Sequence, residues 1–151
     1  MNYNSLNDQL NALLNTDDFL VNSAQFCAFV FDEIKELNWA GFYFYRDELL
    51  QLGSFQGKPA CNPIAMGKGV CGTAAESRKS ILVEDVHQFP GHIACDAASN
   101  SELVIPLIKQ GKLIGIFDMD SPKLSRFTTE DKEGMEKICQ SYLDKTKFLY
   151  F

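Results

Sequence analysis

Two strand–turn–strand patterns constrain the fold of this chain more than any other feature of its sequence. The aromatic run 38–45 and the apolar run 49–55 are β-prone and flank a short polar turn. The runs 103–109 and 113–120 flank a second turn, Gln110-Gly111-Lys112, which is typical of a hairpin. We therefore predict two β-hairpins within one antiparallel sheet.

Helical periodicity surrounds and separates the two hairpins. Leucine spacing predicts a helix over 4–14, and a second helix follows an N-cap at Thr16 with Asp17-Asp18. Residues 73–78 predict a short helix that precedes a strand, and Thr128-Thr129-Glu130-Asp131 caps a last helix. The second and last helices carry apolar stripes, formed respectively by Leu20, Ala24, Cys27, Phe31 and Ile34, and by Met135, Ile138, Cys139 and Tyr142.

Size and charge narrow the class of protein. The 151 residues, 46% of them hydrophobic, suffice for one core, so we predict a single α+β domain over 1–151, an antiparallel β-sheet flanked by α-helices. The net charge of -6 and the absence of basic runs argue against nucleic acid and anionic membrane as partners. With no apolar stretch of about 18 residues and a polar start, we expect a cytoplasmic protein.

The segment 87–102 is unusually rich in side chains that can take part in reactions. It holds both histidines of the chain, His87 and His92, together with Cys95 and two acids, and Pro90-Gly91 interrupts any regular helix or strand. Because loops on a rigid scaffold often carry reactive groups, we predict a functional loop here. Cys95 is its candidate reactive residue.

The five cysteines divide into two sets. Cys27 and Cys139 lie on apolar helix stripes and are expected to be buried structural residues. Cys61, Cys71 and Cys95 lie in predicted loops, where a reactive role is more plausible.

Three chemistries compete for the loop cysteines. A zinc site lacks any Cys-x-x-Cys knuckle, and a cysteine hydrolase lacks the known local signatures around its nucleophile. A thiol redox cycle explains several loop cysteines at once, since one thiol attacks, is oxidised to a sulfenic acid and condenses with a second thiol to a disulfide. We favour the redox cycle and expect neither a bound metal nor a cofactor.

Two strands are predicted to present polar or aromatic groups to a pocket. Trp39 and Tyr43 share one face of their strand, with Gly41 leaving room between them, although core packing would explain them equally well. Ile114, Ile116, Asp118 and Asp120 are predicted to share one face of the last strand. Two adjacent carboxylates on an apolar strand repel each other and resist desolvation, so they require a cation, a proton or a metal.

Six ordered segments between residues 37 and 131 resemble the free methionine-(R)-sulfoxide reductases, a family of GAF domains. They are Asn38-Trp39-Ala40-Gly41-Phe42-Tyr43, Gly53-x-Phe55-Gln56-Gly57-Lys58-Pro59-Ala60-Cys61, Gly67-x-Gly69-Val70-Cys71-Gly72, Asp85-Val86-His87-x-Phe89-Pro90-Gly91-His92-Ile93-Ala94-Cys95-Asp96, Ser99-x-Ser101-Glu102 and Asp118-x-Asp120-Ser121-Pro122. The resemblance implies a GAF-like domain that reduces free methionine (R)-sulfoxide with thioredoxin as reductant, a role in oxidative stress, and a homodimer.

The resemblance also implies roles for single residues. Cys95 would be the nucleophile and Cys61 the main resolving thiol, with Cys71 as a second candidate. The substrate pocket would be lined by Trp39, Tyr43, Glu102, Asp118 and Asp120.

A mechanism follows as a hypothesis. The Cys95 thiolate attacks the sulfoxide sulfur while one protonated carboxyl group, of Glu102, Asp118 or Asp120, donates to the sulfoxide oxygen. The other carboxylates pair with the substrate ammonium, which a methionine residue inside a peptide lacks. His92 or a helix N-terminus would have to favour the thiolate against the neighbouring Asp96. The alternative is a GAF module that binds a small molecule or senses redox state without turnover.

Overall fold

The computed structural model describes residues 1–93 and 95–149, and within them the fold is α+β. Ala94, in the predicted functional loop, lies outside the described residues. The elements in chain order are α1 (Tyr3–Leu13), α2 (Phe19–Glu33), β1 (Trp39–Arg46), β2 (Leu49–Gly57), β3 (Ile64–Ala65), α3 (Gly69–Ser77), β4 (Ile81–Val83), a 3-10 turn (Val86–Gln88), β5 (Ser101–Lys109), β6 (Lys112–Ser121) and α4 (Thr129–Lys145).

The strands form one antiparallel sheet in the order β3-β2-β1-β6-β5-β4. Both predicted hairpins are confirmed, as β1–β2 and β5–β6. Their turns have positive φ at two successive residues, Asp47 and Glu48 in the first and Gln110 and Gly111 in the second. This backbone twist matches the twist of the paired strands, which explains why so short a turn joins them.

Three helices cover one face of the sheet. Inward residues of α2 and α4 pack on alternate residues of β1, β5 and β6, and α1 packs on α4 and α2, to form the main apolar core. The predicted cap of α4 is confirmed, because the Thr128 hydroxyl accepts the Asp131 N–H and the Asp131 carboxylate accepts the Thr128 N–H. The predicted inner stripe of α4 is buried throughout.

The predicted stripe of α2 is partly wrong. Cys27 and Ile34 are buried, but Leu20 is 67% exposed and Ala24 also faces solvent. The helix instead packs through Phe26, whose ring contacts three aromatic rings of the core. Because apolar residues surround α2 almost completely, spacing alone could not choose between adjacent faces.

Two further expectations need correction. Ile114 packs in the helix-side core, whereas Ile116, Asp118 and Asp120 face the other side, because the β5–β6 register shifts between Leu107 and Ile108. Cys71 lies in the first turn of α3 and not in a loop, since that helix starts four residues before its predicted beginning. No helix among the described residues has the length and apolar character needed to span a membrane.

Candidate active site

The face of the sheet opposite the three helices carries a pocket. It encloses about 570 Å³, part of it open to solvent, between the sheet, the start of α3 and the loop that contains Cys95. The eight site residues predicted from the sequence form two groups around it. Seven line it directly, namely Trp39, Tyr43, Cys71, Cys95, Glu102, Asp118 and Asp120, while Cys61 is tied to its rim through Cys95.

Strand register brings the three acidic residues together. Trp39 on β1 pairs with Asp120 on β6, and Asp120 pairs with Glu102 on β5, so these side chains form one row across the sheet. Asp118 lies in the next row on the same face, beside Gly41. All three carboxyl groups are buried, with 5 to 8% of each residue exposed.

Burial controls the protonation of the two aspartates. It raises the pKa of both Asp118 and Asp120 well above the usual carboxyl range, and the charges of the neighbouring acids raise them further. Both carboxyl groups therefore bind a proton more firmly than an exposed aspartate does.

One oxygen of Asp118 lacks a partner. Its buried Oδ1 has no hydrogen bond to any described residue. A buried polar atom without a partner is costly, so this oxygen is available to a ligand in the pocket.

Aromatic side chains form one wall. The Trp39 ring stacks on Tyr43 and on Phe55, with centroids 5.9 and 5.4 Å away. A Cβ at Gly41 would lie 2.7 Å from Trp39 Cη2, so glycine is needed for the indole to lie flat along the strand. The expectation that Gly41 makes room for these aromatics is confirmed.

Cys61 and Cys95 form a disulfide, with their Cα atoms 5.5 Å apart. The Tyr43 hydroxyl donates to the Cys61 carbonyl oxygen at 2.7 Å and so fixes the Cys61 backbone against the aromatic wall. Cys95 itself is exposed at the mouth of the pocket. The pairing of these two cysteines agrees with the one that the resemblance implied.

Cys71 is a free thiol deeper in the same pocket. Its Sγ lies 3.8 Å from Glu102 Oε2, and burial together with the nearby acids raises the pKa of the thiol well above its usual value. Cys27 and Cys139 are buried outside the pocket, as predicted, and burial raises the pKa of both. Of the free cysteines, Cys71 alone lines the described part of the pocket.

Asn38 belongs to the site but is not among the residues that the sequence predicts to line the pocket. Its Nδ2 donates to Asp96 Oδ2 at 3.0 Å and to Ser99 Oγ at 2.9 Å, while its backbone N–H donates to Asp120 O. Asn38 thereby ties the loop that carries Cys95 to the acidic row. Its position just before a buried strand, next to Trp39, was the available signal.

The residues around Cys95 also define its electrostatic setting. Hydrogen bonds from the Ala98 N–H and from Asn38 lower the pKa of Asp96, so a negative charge adjoins the cysteine. His92 and the first residues of α3 line the same pocket. His92 and a helix N-terminus, the two groups that could favour the Cys95 thiolate, are therefore both present in the pocket.

The fold and this pocket place the chain in a known class of domain. A family model described as GAF domain matches residues 22–142, so the chain is a GAF domain. It is 47% identical to free methionine-R-sulfoxide reductase of Escherichia coli over 137 residues, which are 90% of this chain and 83% of that protein. The chain belongs to the free methionine-R-sulfoxide reductase family.

Solved structures agree with this assignment. The chain is 43% identical to the fRMsr of Staphylococcus aureus in complex with substrate, with a TM-score of 0.91 and coverage of 95% of each chain. The free methionine-R-sulfoxide reductase of Neisseria meningitidis in complex with its substrate also gives a TM-score of 0.91. Its identity to this chain is 33%, over 95% of this chain and 87% of the other.

Proposed function

We propose that this protein reduces free methionine (R)-sulfoxide to methionine in a thiol cycle based on Cys95. The observation that carries the proposal is the Cys61–Cys95 disulfide at the mouth of a pocket that holds three buried carboxyl groups. The disulfide is the expected product of the cycle, and the carboxyl groups suit the ammonium group of a free amino acid. The preference for the R epimer rests on family membership.

The first step transfers the sulfoxide oxygen. The Cys95 thiolate attacks the sulfoxide sulfur, the sulfoxide oxygen takes up a proton, and methionine leaves as the oxygen passes to Cys95 as a sulfenic acid. Asp118 is the candidate general acid, because burial raises its pKa and its Oδ1 has no hydrogen-bond partner among the described residues. A carboxyl group with a raised pKa is protonated nearer neutral pH, as this role requires.

Glu102 and Asp120 are proposed to bind the substrate ammonium. They are paired across β5 and β6, and a cation between them would offset their burial. A methionine sulfoxide within a peptide has no ammonium and would leave these groups unpaired, which costs about 1–3 kcal/mol or more. Trp39 and Tyr43 supply the apolar surface for the methyl group of the substrate.

The second step regenerates the enzyme. The Cys61 thiol attacks the sulfenic sulfur of Cys95, water leaves and the disulfide forms, after which a dithiol reductant returns both thiols. Cys71 remains a second candidate for the resolving role. Thioredoxin as reductant, a homodimer and a cytoplasmic location are proposed from family membership.

The proposed domain is the whole range 1–151, beyond the matched residues 22–142. Contacts of α1 with α4 support it. The Tyr3 hydroxyl donates to Asp131 Oδ1 at 2.6 Å, and Asn11 Nδ2 contacts Ser141 Oγ. The first helix is thus part of the same packed body.

The decisive experiment offers the purified, reduced protein three substrates in parallel: free methionine (R)-sulfoxide, the S epimer and the N-acetylated R form. We expect turnover of the first alone, measured as formation of the thioether that corresponds to each sulfoxide, with thioredoxin as reductant. Equal turnover of the N-acetylated form would contradict the ammonium role of Glu102 and Asp120. No turnover of any of them, with thiols confirmed as reduced, would contradict the reductase.

The alternative is a GAF module that binds the same amino acid without turnover. The acidic pocket would serve it equally well, so binding alone does not separate the two functions. A binding module would retain ligand affinity in a Cys95→Ser variant and show no product with the unmodified chain.

A further inference from the structure

A group of side chains in the pocket combines thiol and carboxylate ligands at metal-binding separations. One ligand atom each from Cys71, Glu102 and Asp118 lies within 4.8 Å of the other two. All three residues are buried. They lie on α3, β5 and β6, so their positions are fixed by packed secondary structure and not by a loop.

The separations fit a tetrahedral ion. With zinc bonds of about 2.3 Å to sulfur and 2.0–2.2 Å to oxygen, a tetrahedral site places the sulfur and an oxygen about 3.5–3.7 Å apart. Cys71 Sγ and Glu102 Oε2 are 3.8 Å apart. Little movement of either side chain would be needed for both to bind one ion.

An independent observation also points to a ligand. Asp118 Oδ1 is buried and has no hydrogen-bond partner among the described residues, and Asp118 lines this pocket. A cation would pair with this oxygen and with the surrounding negative groups together. Mixed thiolate and carboxylate ligands favour zinc over magnesium or calcium, which prefer oxygen alone.

We propose that Cys71, Glu102 and Asp118 form a binding site for Zn²⁺ within the pocket, and that the ion and the free amino acid exclude each other. The exclusion rests on the proposed function, because Glu102 would then bind either the ion or the substrate ammonium. The ion acts here as an inhibitor and takes no part in the reaction. Zinc would hold the reductase inactive, and removal of zinc would release it.

The disulfide form of the protein isolates the site. The Cys61 and Cys95 sulfurs are bonded to each other in this form, so Cys71 is the only thiol that lines the described part of the pocket. Binding of Zn²⁺ is measured by calorimetry, and Cd²⁺ then serves as a probe through the ultraviolet absorption of its bond to a thiolate. We expect one ion per chain with a cadmium–thiolate band.

Variants test the ligand set. Cys71→Ser and Asp118→Asn are expected to weaken zinc binding at least about 100-fold, beyond the range known for outer-shell changes. Cys139→Ala removes a thiol of similar burial outside the pocket and is the matched control, with unchanged affinity. Circular dichroism of each variant confirms folding. Equal binding by the chain and by both site variants would overturn the proposal.

The mutual exclusion of zinc and the free amino acid is tested by adding methionine while a chelating buffer fixes the concentration of free zinc. Methionine should lower zinc occupancy, and zinc should lower methionine affinity by the same factor. Failure of the disulfide form to bind zinc, or binding of zinc and methionine without mutual effect, would overturn the inference. These readouts involve no turnover, so a protein that binds zinc as described but reduces no sulfoxide would contradict only the proposed function.

Discussion

The two faces of the central sheet are built by the same strands and differ in chemistry. Along β6, Phe117 and Met119 enter the core beneath the helices, while Asp118 and Asp120 enter the pocket. Along β1, Phe42 lies on the core side and the aromatic wall lies on the pocket side. A period of two residues thus separates apolar packing from reactive groups by a single position.

The comparison shows that stability and function draw on different residues of one strand. The core face gains free energy from burial, and its side chains along this part of β6, Phe117 and Met119, carry no nitrogen or oxygen that needs a partner. The pocket face buries three carboxyl groups, whose desolvation is offset only when a proton or a ligand is bound. Substitutions on the two faces should therefore have opposite effects on folding and on activity.

The largest expected effect is at the mouth of the pocket. Cys95→Ser should lower turnover at least about 10⁴-fold, as loss of a catalytic nucleophile does in other enzymes. In the reduced protein it should change unfolding free energy by no more than about 0.5 kcal/mol, because Cys95 is exposed. Cys61→Ser is the variant to compare with it. This variant should still form about one methionine per chain, after which the reaction should stop because the Cys95 sulfenic acid is not resolved. Normal turnover by Cys95→Ser would exclude the proposed nucleophile.

The core face should respond in the opposite way. Phe117 is fully buried, and its ring packs against Phe26 and Phe42 at centroid distances of 4.8 and 4.9 Å. Phe117→Ala should reduce the free energy of unfolding by about 3–5 kcal/mol, measured by urea denaturation, with kcat of the remaining folded protein little changed. Phe117→Leu should reduce the free energy of unfolding much less than Phe117→Ala does. A large loss of kcat with little loss of stability would contradict the assignment of stability to the core face and of activity to the pocket face.

The adjacent residue tests the pocket face directly. Asp118→Asn should lower kcat/KM by about 10²–10⁴-fold, the range for loss of a general acid. The same change should raise the free energy of unfolding at neutral pH, because an amide does not have to be protonated to remain buried. Asp144→Asn, at an exposed position of α4, should leave both quantities nearly unchanged. A destabilised Asp118→Asn with normal activity would reverse the assignment.

The raised pKa values predict a pH dependence of stability. A carboxyl group with a higher pKa in the folded state binds more protons when folded, so stability falls as pH rises above the unfolded value of about 4. The loss continues until the pH passes the raised pKa values of Asp118 and Asp120. The stability of Asp118→Asn relative to the unchanged chain should therefore increase from pH 4 upward. A constant difference, in denaturation measured across pH, would show that Asp118 is not held protonated.

How far the sequence could predict the molecule differs between the two faces. The hairpins, the cap of α4 and the pairing of Asp118 with Asp120 on one face depend on local patterns, and they were predictable. The face of α2 and the direction of Ile114 depend on tertiary packing and on one register shift, which spacing does not encode. The glycines on both sides of Cys71 are typical of a loop, so the sequence does not reveal that α3 has already begun there.

The smallest expected effect concerns Asn38, which joins the two halves of the site without touching the reacting atoms in the proposed mechanism. Asn38→Ala removes the hydrogen bonds to Asp96 and Ser99, which together are worth about 1–3 kcal/mol, and leaves the Cys95 loop less firmly held. We expect about a tenfold slower formation of the Cys95 sulfenic acid in single turnovers, with a smaller change in KM, because positioning affects the attack more than binding. The matched control is Asn100→Ala, which removes a side-chain hydrogen bond to Pro122 O at the end of the same loop, outside the pocket. If both variants slowed the reaction equally, loop stability alone would account for the effect, and Asn38 would lose its positioning role.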